Sequence, residues 1–150
     1  MSGLWLDELS EGMTVEHAIR RTLTEADNTL FSVMTMNPQP LHLDAAFSEK
    51  TEFGQRLVNS MMTLSTMVGI TVYDLTLGTI VAQLGMSDIT FPAPMFHGDT
   101  LRVETTVKSV RESKSRPGQG IVEFEHTGYN QRDEVVARCT RSALMKAQPS

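Results

Sequence analysis

Cysteine is almost missing from this 150-residue chain: Cys139 stands alone, so no internal disulfide can form. Aromatic residues are scarce at 6%, and positive charge is outnumbered, with Lys plus Arg at 13 against Asp plus Glu at 18, a net formal charge of −5. An acidic balance argues against nonspecific binding to nucleic acid or to an anionic membrane. It leaves room for a local basic patch that holds a phosphate-bearing small molecule. There is no long apolar run either. The longest charge-free stretch, residues 57–73, has 17 residues, seven of them Asn, Ser, Thr or Gly. That is short and polar for a membrane span and reads instead as a buried helix. The N-terminal MSGLWLDELSEG is acidic where a secretory leader is basic and then apolar. With a single cysteine, a reducing cytoplasm is the expected compartment. Internal repeats and low-complexity tracts are absent.

What is present suits one folded domain spanning 1–150. Hydrophobic residues make up 40% and charged residues 21%. A chain of this length buries roughly 70% of its unfolded surface and can hold a core without staples. The order of elements reads as α+β. A weakly alternating strand is expected at 13–23. Thr24 then suits an N-cap, with Glu25 and Asp27 in the first turn of a helix through Leu30, Phe31 and Met34. Asn37-Pro38-Gln39-Pro40 ends that helix. Residues 41–44 are expected to be extended or irregular, and Asp44 to cap a short helix through Phe47. Residues 60–74 are apolar nearly all round, the mark of an enclosed helix, with Ser60 as its cap. Period-2 runs at 79–86, 87–91, 101–111, 120–130 and 135–145 read as strands. The stretch 96–100 is a turn, 131–134 a hairpin, and 113–120 a polar loop.

Three stretches, TMNPQPLHLD at 35–44, FGQRLVNSMM at 53–62 and FPAPMFHGDTLRVE at 91–104, together resemble the MaoC-like dehydratases. These are the (R)-specific enoyl-CoA hydratase branch of the hotdog fold. The similarity spreads over residues 12–145. It implies an antiparallel sheet wrapped round a long central helix, pairing into homodimers, an acyl-CoA substrate near the subunit interface, and no cofactor beyond the coenzyme A that the substrate carries. The family pairs an Asp and a His in a pattern like S-G-D-x-N-P-L-H-x-D. Here the His is His42, the Asp position holds Asn37, and the usual Asn position holds Gln39. The family's His-Gly at the start of the central helix falls on Asn59-Ser60. Within the family, TMNPQPLHLD and LVNS look like a subgroup acting on short branched dicarboxylyl-CoA thioesters of the mesaconyl, itaconyl or methylmalyl kind.

Adding water across an enoyl thioester needs a base for the attacking water, an acid for the α-carbon and donors for the thioester oxygen. His42 is the side chain here whose ordinary ionisation suits proton transfer near neutrality. An amide cannot be a base, so Asn37 is assigned to orienting water or substrate; as a bland alternative it is a residue chosen to end a helix. The start of the buried helix offers unpaired N–H groups and a favourable dipole, which puts an oxyanion donor at Ser60 and a pocket wall at Asn59. Gln39 and Ser65 are further pocket candidates; an exposed loop residue and a core hydroxyl are the plainer readings. Met61, Met62 and Met67 either shape an acyl pocket or simply fill the core. Arg56 either meets a substrate carboxylate or lies solvated on the surface.

Arg111, Lys114 and Arg116 make the one compact basic cluster, suited to the phosphates of coenzyme A or to a solvated loop. His17, His97 and His126 have no metal-ligand spacing, so no metal is expected. Cys139 reads as a small buried filler. Two other functions stay open: a hotdog thioesterase, against which stands the lack of Asp or Glu between 57 and 73, and a noncatalytic acyl-CoA-binding subunit, which the Asn at position 37 keeps in play.

Overall fold

The computed structural model describes residues 3–149. After a 3-10 turn at Leu6–Glu8 come two short strands, β1 (Thr14–Glu16) and β2 (Arg21–Thr22). Four helices follow: α1 (Glu25–Met34), α2 (Pro40–Leu43), α3 (Ala45–Ser48) and α4 (Ser60–Leu75). Four long strands complete the chain: β3 (Ile80–Thr90), β4 (Thr100–Glu112), β5 (Gln119–Tyr129) and β6 (Val135–Lys146). All pairings are antiparallel, in the order β1-β4-β5-β6-β3, with β2 on β4. The architecture is the α+β hotdog arrangement, a sheet curved around one long helix.

Alternation builds the inner face. Every second residue is buried along β5 and along β4 as far as Val107, as the two-residue period of a strand requires. The register aligns Val103, Gly128 and Ala137 in one row, Thr105, His126 and Cys139 in the next, and Val107, Phe124 and Arg141 in a third. α4 packs across these rows. Gly128 lets the helix side chains lie close to the sheet: a Cβ there would lie 3.1 Å from both the Met67 sulfur and Leu101 Cδ1.

The core is two apolar clusters, one around Leu23, Met67, Leu101 and Val103, the other around Leu6, Leu75, Val107 and Phe124. A polar row separates them. Arg141 Nε donates to His126 Nε2 at 3.1 Å. His126 Nδ1 must then carry the ring proton and donate to the Thr105 hydroxyl at 2.8 Å. That hydroxyl donates to His17 Nε2 at 2.8 Å, and His17 Nδ1 donates to Asp74 Oδ2 at 2.7 Å. One proton on each imidazole satisfies the chain, because a guanidinium can only donate and a carboxylate only accept. Burial, then the neighbouring Arg141 cation and His17, push His126 down to about 3.

Several sequence expectations change. The strand at 13–23 is two strands, because the chain breaks at His17 to send its side chain inward, where it is 3% exposed. Residues 79–86 and 87–91 are one strand, β3, whose register shifts absorb extra residues as bulges, with Asp88 at φ 52°. Residues 41–44 are not extended: Pro40 opens α2 at the first helical position, where its fixed φ is an advantage. Thr24 does cap α1, in a reciprocal pair with Asp27. The cap of α4 is Asn59, not Ser60. Nor is α4 enclosed all round. Met61, 53% exposed, and Tyr73, 48% exposed, belong with Ser65 and Gly69 to an open stripe at four-residue spacing. The stripe is open because α4 packs on β4, β5 and β6, while β3 lies beyond it at the sheet edge.

Candidate active site

The loop after α1 is shaped by its own side chains. Asn37 Oδ1 accepts from Gln39 N at 3.1 Å, an Asx-type turn that delivers Pro40 to the start of α2. His42 sits in the single turn that follows. Its Nδ1 lies 3.0 Å from the Leu57 carbonyl oxygen. A carbonyl only accepts, so Nδ1 carries a proton, and in the neutral ring Nε2 is the nitrogen left with a lone pair.

The His42 ring borders a cavity of about 380 Å³ whose wall includes Ser60, Thr63, Phe53, Phe91 and Met95. Ser60 is the first residue of α4. Asn59 takes up the next three N–H groups of that helix: Met61 N donates to Asn59 Oδ1 at 3.0 Å, and Met62 N and Thr63 N donate to Asn59 O. Among the described residues, the Ser60 N–H alone of the first four has no protein acceptor. One apolar cavity is thus bordered both by an imidazole whose Nδ1 is already engaged and by the residue that carries a free helix N-terminal donor, the two kinds of group that proton transfer beside a thioester requires.

Behind this wall lies a group that the sequence reading passed over. Asn28, fully buried in α1, accepts from Asn59 N at 2.8 Å through Oδ1. Its Nδ2 donates to the Leu57 carbonyl at 2.9 Å and to His97 Nε2 at 2.9 Å. Ser32, one turn on, is also fully buried and meets Asn59 Nδ2 at 3.4 Å. The available signal was a polar pair four residues apart, Asn28 and Ser32, on one face of α1. Burial, then the nearby Arg56 cation, hold His97 below its ordinary range, against the pull of Glu25.

Of the residues singled out from the sequence, His42 and Ser60 meet at the cavity. Asn59 does not line it: it is 3% exposed and spends its side chain on the cap and on Ser32. Asn37 and Gln39 belong to the loop that carries His42, outside the cavity wall. Ser65 is on the open stripe of α4, neither in the wall nor in the core. Met62 and Met67 are core, while Met61 is exposed. Arg56 is not solvated: it pairs with Glu25 and holds that carboxyl below its usual range.

Arg111, Lys114 and Arg116 are exposed at the far end of the β4–β5 hairpin. The hairpin tip lies beside Lys146, and the cavity beside Val136, at opposite ends of β6. At ~3.3 Å per residue the separation is roughly 30 Å. Within one chain, then, the basic cluster and His42 are not brought together. Cys139 is a buried filler, its thiol pushed up to about 11 by burial.

Comparison with known proteins places the chain in a family. Residues 8–130 match the family described as "MaoC like domain". Beta-methylmalyl-CoA dehydratase of Chloroflexus aurantiacus is 29% identical over 96% of this chain and 40% of its own length. Mesaconyl-CoA hydratase of Cereibacter sphaeroides is 28% identical over 97% of this chain and 42% of its own. The chain therefore spans about two fifths of these relatives. A Mycobacterium tuberculosis protein described as having a double hotdog fold superposes with a TM-score of 0.88 at 24% identity, over 99% of this chain and 46% of that one. On the match over residues 8–130 and the hotdog architecture that carries it, the chain belongs to the MaoC-like domain family.

Proposed function

We propose that this chain adds or removes water at the double bond of a 2-enoyl-CoA thioester. The observation that carries the reading is the pairing, across one apolar cavity, of the His42 Nε2 lone pair with the acceptor-free N–H of Ser60. In the hydration direction His42 Nε2 takes a proton from water as its oxygen bonds to the β-carbon. The electron pair of the double bond moves towards the thioester, whose oxygen is held by the Ser60 N–H. The imidazolium then returns the proton to the α-carbon, so one water is consumed and the histidine regains its starting form. Asn37, at the family's acidic position, acts from outside the cavity wall, through the turn that presents His42.

The finer reading is a short branched dicarboxylyl-CoA of the mesaconyl, itaconyl or methylmalyl kind. The relatives named beta-methylmalyl-CoA dehydratase and mesaconyl-CoA hydratase support it, as does the resemblance of the TMNPQPLHLD loop to that subgroup. Coenzyme A enters as part of the substrate, with no other cofactor. Because Arg111, Lys114 and Arg116 lie far from their own chain's cavity, we assign their phosphate-binding role to the cavity of a second copy in a homodimer. A cytoplasmic location is part of the same proposal.

Crotonyl-CoA and mesaconyl-CoA, followed by loss of the conjugated thioester absorbance, test the reading. Turnover is expected, faster with mesaconyl-CoA, and His42→Ala should lower it by about 10²–10⁴-fold. Release of free thiol would make the protein a thioesterase instead. Binding without either reaction would make it an acyl-CoA-binding subunit.

A further inference from the structure

We propose that Asn28 is a positioning residue of this site: its single buried amide sets the Leu57 carbonyl that fixes the tautomer of His42 and, through Asn59, the start of the helix that carries Ser60. The catalytic meaning of this assignment rests on the hydratase reading above; its geometry does not.

The hydrogen bonds assign every atom. Asn59 N can only donate, so the oxygen of the Asn28 amide faces it, and the nitrogen faces Leu57 O and His97 Nε2. The Leu57 oxygen therefore has both lone pairs filled, by His42 Nδ1–H at 3.0 Å and by Asn28 Nδ2 at 2.9 Å. At its other end the same peptide unit donates Val58 N to Met95 O at 2.9 Å. Its plane is thus fixed at two points, one of them Asn28. The tilt of that plane decides whether a carbonyl or open space faces the histidine ring, and so which ring nitrogen holds the proton. The same amide, through Asn59 N, anchors the residue whose cap leaves Ser60 as the free donor.

His97 closes the arrangement from outside. Its Nε2 accepts the second Asn28 proton, which requires that nitrogen to be unprotonated. Arg56 and Glu25 are the charged groups around it, with Arg56 opposing protonation and Glu25 favouring it. With all its donors and its acceptor engaged and no exposed surface, Asn28 can neither flip nor be replaced by a residue of other hydrogen-bonding polarity without disturbing both walls of the cavity.

Nitrogen-15 long-range correlation spectra of the histidine rings test this without substrate. In the wild-type protein His42 should show a protonated Nδ1 and an unprotonated Nε2; the opposite tautomer overturns the proposal before any variant is made. In Asn28→Ala, His42 should pass to a mixture of tautomers, and kcat should fall by about 10–100-fold with KM changed less than about threefold. Asn28→Asp is the second variant, for the case that alanine does not fold. It keeps the shape and the acceptor for Asn59 but loses both donors, so the His42 lock should again be lost.

In either folded variant, an unchanged tautomer with kcat within about twofold of wild type makes Asn28 structural only and overturns the proposal. If the wild-type protein hydrates no acyl-CoA, the hydratase reading fails on its own. The ring spectra then still decide whether Asn28 positions His42.

Discussion

His42 gains its chemical definition from a residue 15 positions away, the carbonyl of Leu57. Its neighbour in the motif, Asn37, is tied locally, accepting from Gln39 N to form the turn that brings α2 to the cavity. That double duty separates two variants. Asn37→Asp keeps an acceptor for Gln39 N, so its stability should stay within about 0.5 kcal/mol of wild type. Asn37→Ala loses the turn and should cost about 1 kcal/mol, read from denaturant midpoints. In turnover, Asn37→Ala should be slower by tenfold or more, because the turn that holds His42 against the cavity is lost. Asn37→Asp places a negative charge in the loop that holds His42. It should therefore slow a dicarboxylyl-CoA more than crotonyl-CoA. Equal changes on both substrates would count against the dicarboxylate reading.

At the scale of elements, the site is where three helices meet: the buried face of α1, the single turn of α2 and the start of α4. Asn59 ties the last of these to the first. Its side chain caps α4 and reaches Ser32 of α1, while its N–H bonds Asn28. Asn59→Ala should lower stability by about 0.5–2 kcal/mol for the lost cap. It should also lower turnover, because Met61 N then competes with Ser60 N for the same anion and the first turn loses its fixed direction. A chemical melt and a steady-state assay on one preparation check both. Asn59→Asp, which can still cap, should recover most of the stability. If alanine melts like wild type, the cap is not what holds this end of the helix.

For the molecule as a whole, the polar row between the two apolar clusters sets a dependence on acid. His126 is neutral in the fold, with its ionisation pushed down to about 3, against about 6.5 for an unfolded histidine. Between these values the unfolded chain binds the proton and the folded one does not, so acid favours unfolding. The contribution is fully present above about pH 6.5. It is lost progressively as pH falls towards 3. Melting temperature should therefore drop through that window, and His126→Gln should show a shallower slope while starting lower, since Arg141 and Thr105 lose a well-shaped partner. A slope identical to wild type would take His126 out of the account.

Association belongs to the same scale. β3 is a sheet edge with Leu84 and Ile89 exposed, and α4 carries an exposed stripe of its own. Light scattering at micromolar concentration should give the mass of a dimer. Leu84→Lys at the edge should shift it towards monomer and, if the basic loop of one copy serves the cavity of the other, raise KM for CoA thioesters.

The sequence alone determined what depends on neighbours along the chain. Thr24 and Asp27 announced a helix start, Asp44 a second, Gly98 and Asp99 a turn, and alternating runs gave β4, β5 and β6 to within a residue or so. Local patterns suffice there because caps, turns and pleats are satisfied within a few residues. The NP-x-PLHLD loop also singled out His42. What only the tertiary structure decided involves partners far apart in the chain. The tautomer of His42, the role of Asn28, the burial of Asn59 and the row from Asp74 to Arg141 each need two or more elements to be in place. The separation of the basic cluster from the cavity was equally out of reach, because strand order, not sequence distance, put Lys146 and Val136 at opposite ends of β6. The open stripe on α4 belongs to this class too: a helix apolar all round reads as enclosed, and only the packing shows which of its faces a single sheet leaves uncovered.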